Sequence, residues 1–330
     1  MLKQARLKAL KLAAQRRVLR VLRPKLDPYP DQPDDIILSP SAKHQADYEN
    51  ASLSLSWRNN YDKGCLNWHR AAHKKLTELS GYKMPTVIPL QKYEKKHRLS
   101  DNLTRKSFYL QLSETHNIPV HLIYDSSFEG VRPVMLCLQG TNSGIHLSWG
   151  ENRLPADFER IASGSANGVQ AAKRGYIAVA IEQSCFGERR ETNLPQPSLD
   201  PCIDMSNHSL LIGKTIIGER AEDISSVISW LEMNQDMLQL DINRTHIMGN
   251  SSGGTSALYA IALDPRIKAG LIGGCIGYIR ETIGKRAHSS GQNVIPGILN
   301  WLEMDDIVAL ASPHGMDFFS ILLIILNSII

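Results

Sequence analysis

The chain is poor in cysteine. Its five cysteines, Cys65, Cys137, Cys185, Cys202 and Cys275, are odd in number, and none stands in a Cys-x-x-Cys spacing. That argues against a disulfide-stapled scaffold and against a thiolate zinc site, and it points to a reducing compartment. Acid is missing altogether between Met1 and Leu26, whereas Lys3, Arg6, Lys8, Lys11, Arg16, Arg17, Arg20, Arg23 and Lys25 are all basic. The formal charge of +4 therefore comes from one segment, and the rest of the chain is slightly acidic. Such a local excess is no signature of nucleic-acid binding. The same start lacks the uninterrupted apolar core and the small-residue cleavage site of a secretory signal, so a cytoplasmic protein is expected. The apolar tail from Phe318 to Ile330 falls short of the roughly 20 residues that a membrane-spanning helix needs, so no integral membrane segment is expected.

What is present fits one α/β domain with an extension better than two equal domains, at 330 residues with 42% hydrophobic and 21% charged side chains. Residues 2 to 23 have a helical pattern, with Leu2, Leu7, Leu10, Val18, Leu19 and Leu22 among the basic side chains and Pro24 as a stop. Such a helix either lies on an anionic surface, targets an organelle or packs on its own domain or a partner, and the last is the expectation. A Pro- and Asp-rich linker follows, and residues 46 to 80 return to helix-like composition. Residues 1–104 are read as a helical N-terminal extension and linker, and 105–330 as the main domain.

The main domain opens with a hairpin, because Ser107 to Leu112 and Ile118 to Tyr124 both alternate around a turn at Glu114 to Asn117. Pro133 to Leu138 and Tyr176 to Ile181 are unbroken apolar runs, the mark of strands buried on both faces. Ile216, Ile217, Ile224, Val227, Ile228 and Leu231 stand at helical spacing. Strands alternating with helices imply a mostly parallel sheet with right-handed crossovers, whose ligand site lies at the carboxyl ends of the strands. The loops after Leu138, Ile181 and Met248 should share that rim. The one after Ile181 carries Arg189 and Arg190, which either meet an acidic substrate group or form a solvated, salt-bridged loop.

The third of these loops carries the chemistry. Thr245 to Met248 read as a short strand, Ser256 to Leu263 as a helix, and between them Gly249, Ser251 and Gly253 form a Gly-x-Ser-x-Gly pattern. A serine on so sharp a strand-to-helix turn has strained φ/ψ and needs neighbours without side chains two positions away. Ser251 is therefore the candidate nucleophile. The backbone N–H of Ser252 and the start of the helix point at an oxyanion formed beside it.

In its order of parts the chain resembles the α/β-hydrolase superfamily, within it the branch of acetyl xylan esterases and dienelactone-hydrolase-like proteins. The resemblance covers roughly residues 105 to 313. It rests on the hairpin, Leu138-Gln139-Gly140, Phe186 to Arg190, Gly249 to Gly254, and Val294-Ile295-Pro296-Gly297-Ile298-Leu299. It implies a three-layer sandwich, with Ser251 as nucleophile and an oxyanion hole made by Ser252 and the backbone at Thr141 and Asn142. The implied activity is hydrolysis of carboxylic esters, acetyl esters among them, of small-molecule or saccharide substrates, with no cofactor and no metal. A prolyl-peptidase-like activity uses the same elbow but usually brings a propeller domain, which residues 1 to 100 cannot supply. The other alternative is a non-catalytic fragment or binding module on the hydrolase frame.

The pattern departs from the family after the elbow. The triad order is Ser, then an acid, then His, yet the only downstream histidines are His288 and His314, and the nearest acids are Asp305, Asp306 and Asp317. Asp317 comes too early to follow another strand, and too few residues separate His314 from Asp306 for a strand and helix between them. The expectation is a domain cut short near His314, with its final strands missing and its acid and base not evident.

Overall fold

The computed structural model describes residues 35–60, 62, 64–285 and 291–312, together with the backbone of 321–322. The basic segment 2–23, His288, His314 and Asp317 lie outside the described residues. One sheet gathers the eight described strands in the order β1-β2-β3-β5-β4-β6-β7-β8. They are β1 (Leu90–Arg98), β2 (Leu103–Ser113), β3 (His116–Asp125), β4 (Arg132–Leu138), β5 (Ile177–Ile181), β6 (Leu240–Asn250), β7 (Ala269–Gly273) and β8 (Ile321–Leu322). The first three strands form an antiparallel meander, and β3 meets β5 antiparallel. From β5 through β4, β6 and β7 to β8 every pairing is parallel, as the alternation of apolar runs and helical segments predicts. Two residues of the apolar tail thus enter the sheet, at its β7 edge.

The described α-helices of six residues or more are α1 (Pro40–Glu49), α2 (Cys65–Ser80), α3 (Asp157–Ala162), α4 (Asn167–Ala172), α5 (Pro201–Leu211), α6 (Ile216–Met233), α7 (Ser252–Leu263) and α8 (Met304–Ala311). Alternate residues of the central strands feed two separate cores, as the period-2 geometry of a strand demands. Val134, Leu136, Leu138, Val179 and Ile181 face the larger core, which takes in α2, α6, α7 and α8. Met135, Cys137, Ala178 and Ala180 face the smaller one, closed by Trp149 and by Ala171 and Ala172 of α4. Both faces of β4 and β5 are therefore covered, which explains their unbroken apolar sequences.

The expected helical extension is corrected at one point, because β1 falls inside it. β1 pairs with β2 from Leu90↔Gln111 to Arg98↔Thr104. Its sequence, LQKYEKKHR, has no buried residue. An edge strand guarded by charges has no apolar face to alternate, so periodicity carried no sign of it. Helix α2 is helical as expected. It buries Trp68, Ala72, Leu76 and Ser80, one face at i, i+4 spacing, and Trp68 meets Trp57 edge-on at 5.2 Å. Among the described residues no helix is long and apolar enough to cross a membrane.

Candidate active site

The register of the sheet builds the rim. Leu138 of β4 stands opposite Ile181 of β5 on one side and Gly249 of β6 on the other. The loops that leave these three strands therefore start at one level, as the parallel topology predicts.

Ser251 sits between β6 and α7 at φ 56° and ψ −122°, a left-handed conformation that costs a residue with a Cβ of order 1–3 kcal/mol. Neighbouring atoms hold it there. The Ser251 N–H donates to the Gly273 carbonyl at 2.8 Å, and the Thr255 N–H donates to the Ser251 carbonyl at 2.9 Å. A Cβ on Gly249 would lie 2.3 Å from the Gly253 oxygen, and one on Gly253 would lie 2.6 Å from the Gln139 oxygen. The glycines at both flanks are thus required by backbone contact. Ser251 is exposed, whereas every residue of α7 is buried.

The loop after β4 lies against this elbow, since a Cβ on Gly140 would be 2.9 Å from the Asn250 oxygen and 3.6 Å from Ser251 Cβ. Thr141 follows, exposed. The Asn142 side chain is taken up inside the loop, where its Oδ1 accepts the Gly144 N–H at 3.0 Å. Ser252 is the first residue of α7, and its N–H has no partner within the helix by construction. The Ser252 hydroxyl is buried and donates to Gln292 Oε1 at 2.7 Å.

Two buried carboxylates anchor the loop from behind. Glu182 accepts the Ile145 N–H at 3.1 Å and the Gln139 side-chain amide. Burial pushes its carboxyl up to about 7 against the pull of the Ile145 and Glu188 N–H groups. Asp157 accepts from Ser143 Oγ at 2.6 Å and bonds His146 at 3.0 Å. Burial alone would raise the Asp157 carboxyl, but Ser143, His146 and the N–H groups of Leu154 and Arg153 outweigh it and hold it below the ordinary value. Of the two arginines after β5, Arg189 is paired with buried Asp223 at 2.5 Å, and Asp223 also holds His116 at 2.7 Å. Of the two alternatives for this loop, Arg189 takes the salt bridge, though to a buried rather than a solvated carboxylate, while Arg190 is exposed.

Among the described residues no histidine hydrogen-bonds Ser251. Asp306 is a cap: it accepts the Glu303 N–H at 2.9 Å and the Trp57 N–H at 2.8 Å. Asp305 pairs with Arg58 at 2.8 Å. Both acids are occupied in joining α8 to the N-terminal region. A cavity of about 330 Å³ opens between α1 and segment 293–300, lined by Tyr48, Ile279, Ile283, Val294 and Leu299 among others, and Ser251, Ser252, Thr141 and Gln292 are not part of its lining. Arg220 and Gln292, which back the elbow, gave no signal in the sequence. Arg220 stands in a helix with an ordinary amphipathic pattern, and Gln292 in a loop about 40 residues past the serine.

No family model matches the chain, and no curated protein matches it. Its structure is similar to that of a Bacteroides fragilis protein provisionally named an acetyl xylan esterase. The likeness covers 86% of this chain and 75% of that one, with a TM-score of 0.71 at 18% identity. The chain has the α/β-hydrolase fold. At that identity the likeness speaks for the fold alone. Looser likenesses to this fold are a glucuronoyl esterase from Solibacter usitatus, with 17% identity, 77% of this chain, 76% of that one and a TM-score of 0.48, and an acetyl xylan esterase from Paenibacillus sp. R4, with 17% identity, 72%, 71% and 0.42. Within the α/β-hydrolase fold, Ser251 stands at the strand-to-helix turn after a central parallel strand.

Proposed function

We propose that the protein is a serine hydrolase of carboxylic esters, acetyl esters among them, with Ser251 as nucleophile. The observation that carries this reading is the left-handed Ser251 at φ 56°, flanked by Gly249 and Gly253 with no room for a side chain. In the reaction Ser251 Oγ attacks the ester carbonyl, the N–H groups of Ser252 and of the Thr141 and Asn142 backbone receive the oxyanion, and water releases the acyl-enzyme. A base must take the serine proton. That proton then goes to the departing alcohol, and among the described residues no histidine hydrogen-bonds Ser251 to carry it. Five free thiols support a reducing, cytoplasmic setting.

One observation favours a second reading, a non-catalytic module on the same frame: Asp305 and Asp306 are both committed to structural pairs. Turnover of p-nitrophenyl acetate by the protein and by Ser251→Ala separates the two. The esterase reading expects hydrolysis that disappears with the hydroxyl. Equal rates for the two proteins would refute it.

A further inference from the structure

Behind the elbow lies a buried charge that the reading above does not use. Arg220 of α6 is 2% exposed, and among the described residues no carboxylate pairs with it. Its guanidinium donates only to neutral groups: Ser184 Oγ at 3.4 Å, the Ser184 carbonyl at 2.8 Å, Ser252 Oγ at 3.0 Å, Gln292 Oε1 at 3.4 Å and Cys202 Sγ at 3.7 Å. One face rests on the Phe186 ring at 5.1 Å. Buried cations are ordinarily paired with a carboxylate, so a lone one beside a candidate oxyanion site calls for an account.

The directions of the hydrogen bonds give one. A guanidinium has donors only, so Ser252 Oγ accepts from Arg220 and its own proton goes to Gln292 Oε1 at 2.7 Å. Arg220 and Ser252 both donate to that oxygen, which fixes the amide: turned over, it would set its NH₂ against the guanidinium. The NH₂ of Gln292 is thereby aimed at Thr141 Oγ1, 3.4 Å away. A hydroxyl that accepts at its oxygen keeps its proton to give elsewhere. Thr141 is exposed and follows Gly140, the residue packed on Ser251.

We propose that the Thr141 hydroxyl is a side-chain donor to the oxyanion, aimed by a one-way chain of hydrogen bonds that starts at buried Arg220 and runs through Ser252 and Gln292. Thr141 touches the reacting oxygen, whereas Gln292 and Arg220 are positioning residues. The positive charge at the start of the chain polarises each link in the sense that strengthens the last donor as negative charge grows on the substrate oxygen. The inference rests on Ser251 as nucleophile.

The test uses p-nitrophenyl acetate, with Ser251→Ala as reference and circular dichroism as the check on folding. Thr141→Val keeps the shape and deletes the donor. It should lower kcat by about 100-fold, the usual cost of one oxyanion donor, with KM little changed, and Thr141→Ser should restore most of the rate. Gln292→Ala should lower kcat as well, and the double variant should lose little more than Thr141→Val alone, because both act through one hydroxyl. Thr141→Val at the wild-type kcat, in a protein whose turnover needs Ser251, would overturn the inference and leave the esterase reading intact. Multiplicative losses in the double variant would also overturn it. A wild-type protein without turnover would overturn both.

Discussion

Glu182 gives the molecule a pH dependence whose sign and size follow from its surroundings. The carboxyl is 2% exposed, and burial raises it from 4.5 to about 7. Between those values the folded chain holds a proton that the unfolded chain has released, so stability falls as pH rises. The contribution is fully present below about pH 4.5 and is lost as pH passes through about 7. At about 1.4 kcal/mol per pKa unit, ionised Glu182 costs the fold about 3 kcal/mol. For a chain of 330 residues that is a shift in Tm of about 4 °C. Thermal unfolding of the wild type and of Glu182→Gln, followed by circular dichroism between about pH 5 and pH 8, isolates the effect. Loss of the bonds to Gln139 and Ile145 adds an offset that does not vary with pH, so the quantity to read is the change in the difference between the two proteins. The variant should gain about 3 kcal/mol on the wild type across that interval. A difference that stays flat, or moves the other way, would refute the reasoning.

Three further outcomes follow from the packing. Leu76→Ala removes a fully buried side chain of α2 from the main core and should cost about 2–5 kcal/mol in urea unfolding; a value near zero would mean that the N-terminal helices do not share the core. Gly253→Ala puts a methyl group 2.6 Å from the Gln139 oxygen, so it should lower stability by about 1–3 kcal/mol and abolish ester turnover, both measurable on one preparation. Of the free thiols only Cys65 is exposed, so a thiol reagent should modify it quickly in the native protein and the others only on unfolding. Cys275 should be slow because burial pushes its thiol up to about 11. Cys65→Ser should remove the fast phase.

The parts of the molecule that were legible in the sequence are those where one physical demand acts alone. β4 and β5 are apolar throughout because helices cover both their faces, and Gly249 and Gly253 stand where backbone oxygens leave no space. β1 was not legible, because an edge strand defended by Lys92, Lys95 and Lys96 has no apolar side. The supports of the candidate site were hidden for another reason. Glu182, Arg220 and Gln292 come from the loop after β5, from α6 and from a distant loop, and only the folded sheet brings them behind one serine. Their residue types are ordinary for loops and amphipathic helices, so nothing local sets them apart.

The central claim is that the bend after β6 presents an activated hydroxyl at residue 251. Intact-mass and peptide-level mass spectrometry after treatment with a fluorophosphonate tests it most directly. The account predicts a single phosphonyl adduct on Ser251, absent from Ser251→Ala and suppressed by prior incubation with an ester substrate. A folded protein that takes up no adduct, or takes it up at another residue, would contradict it.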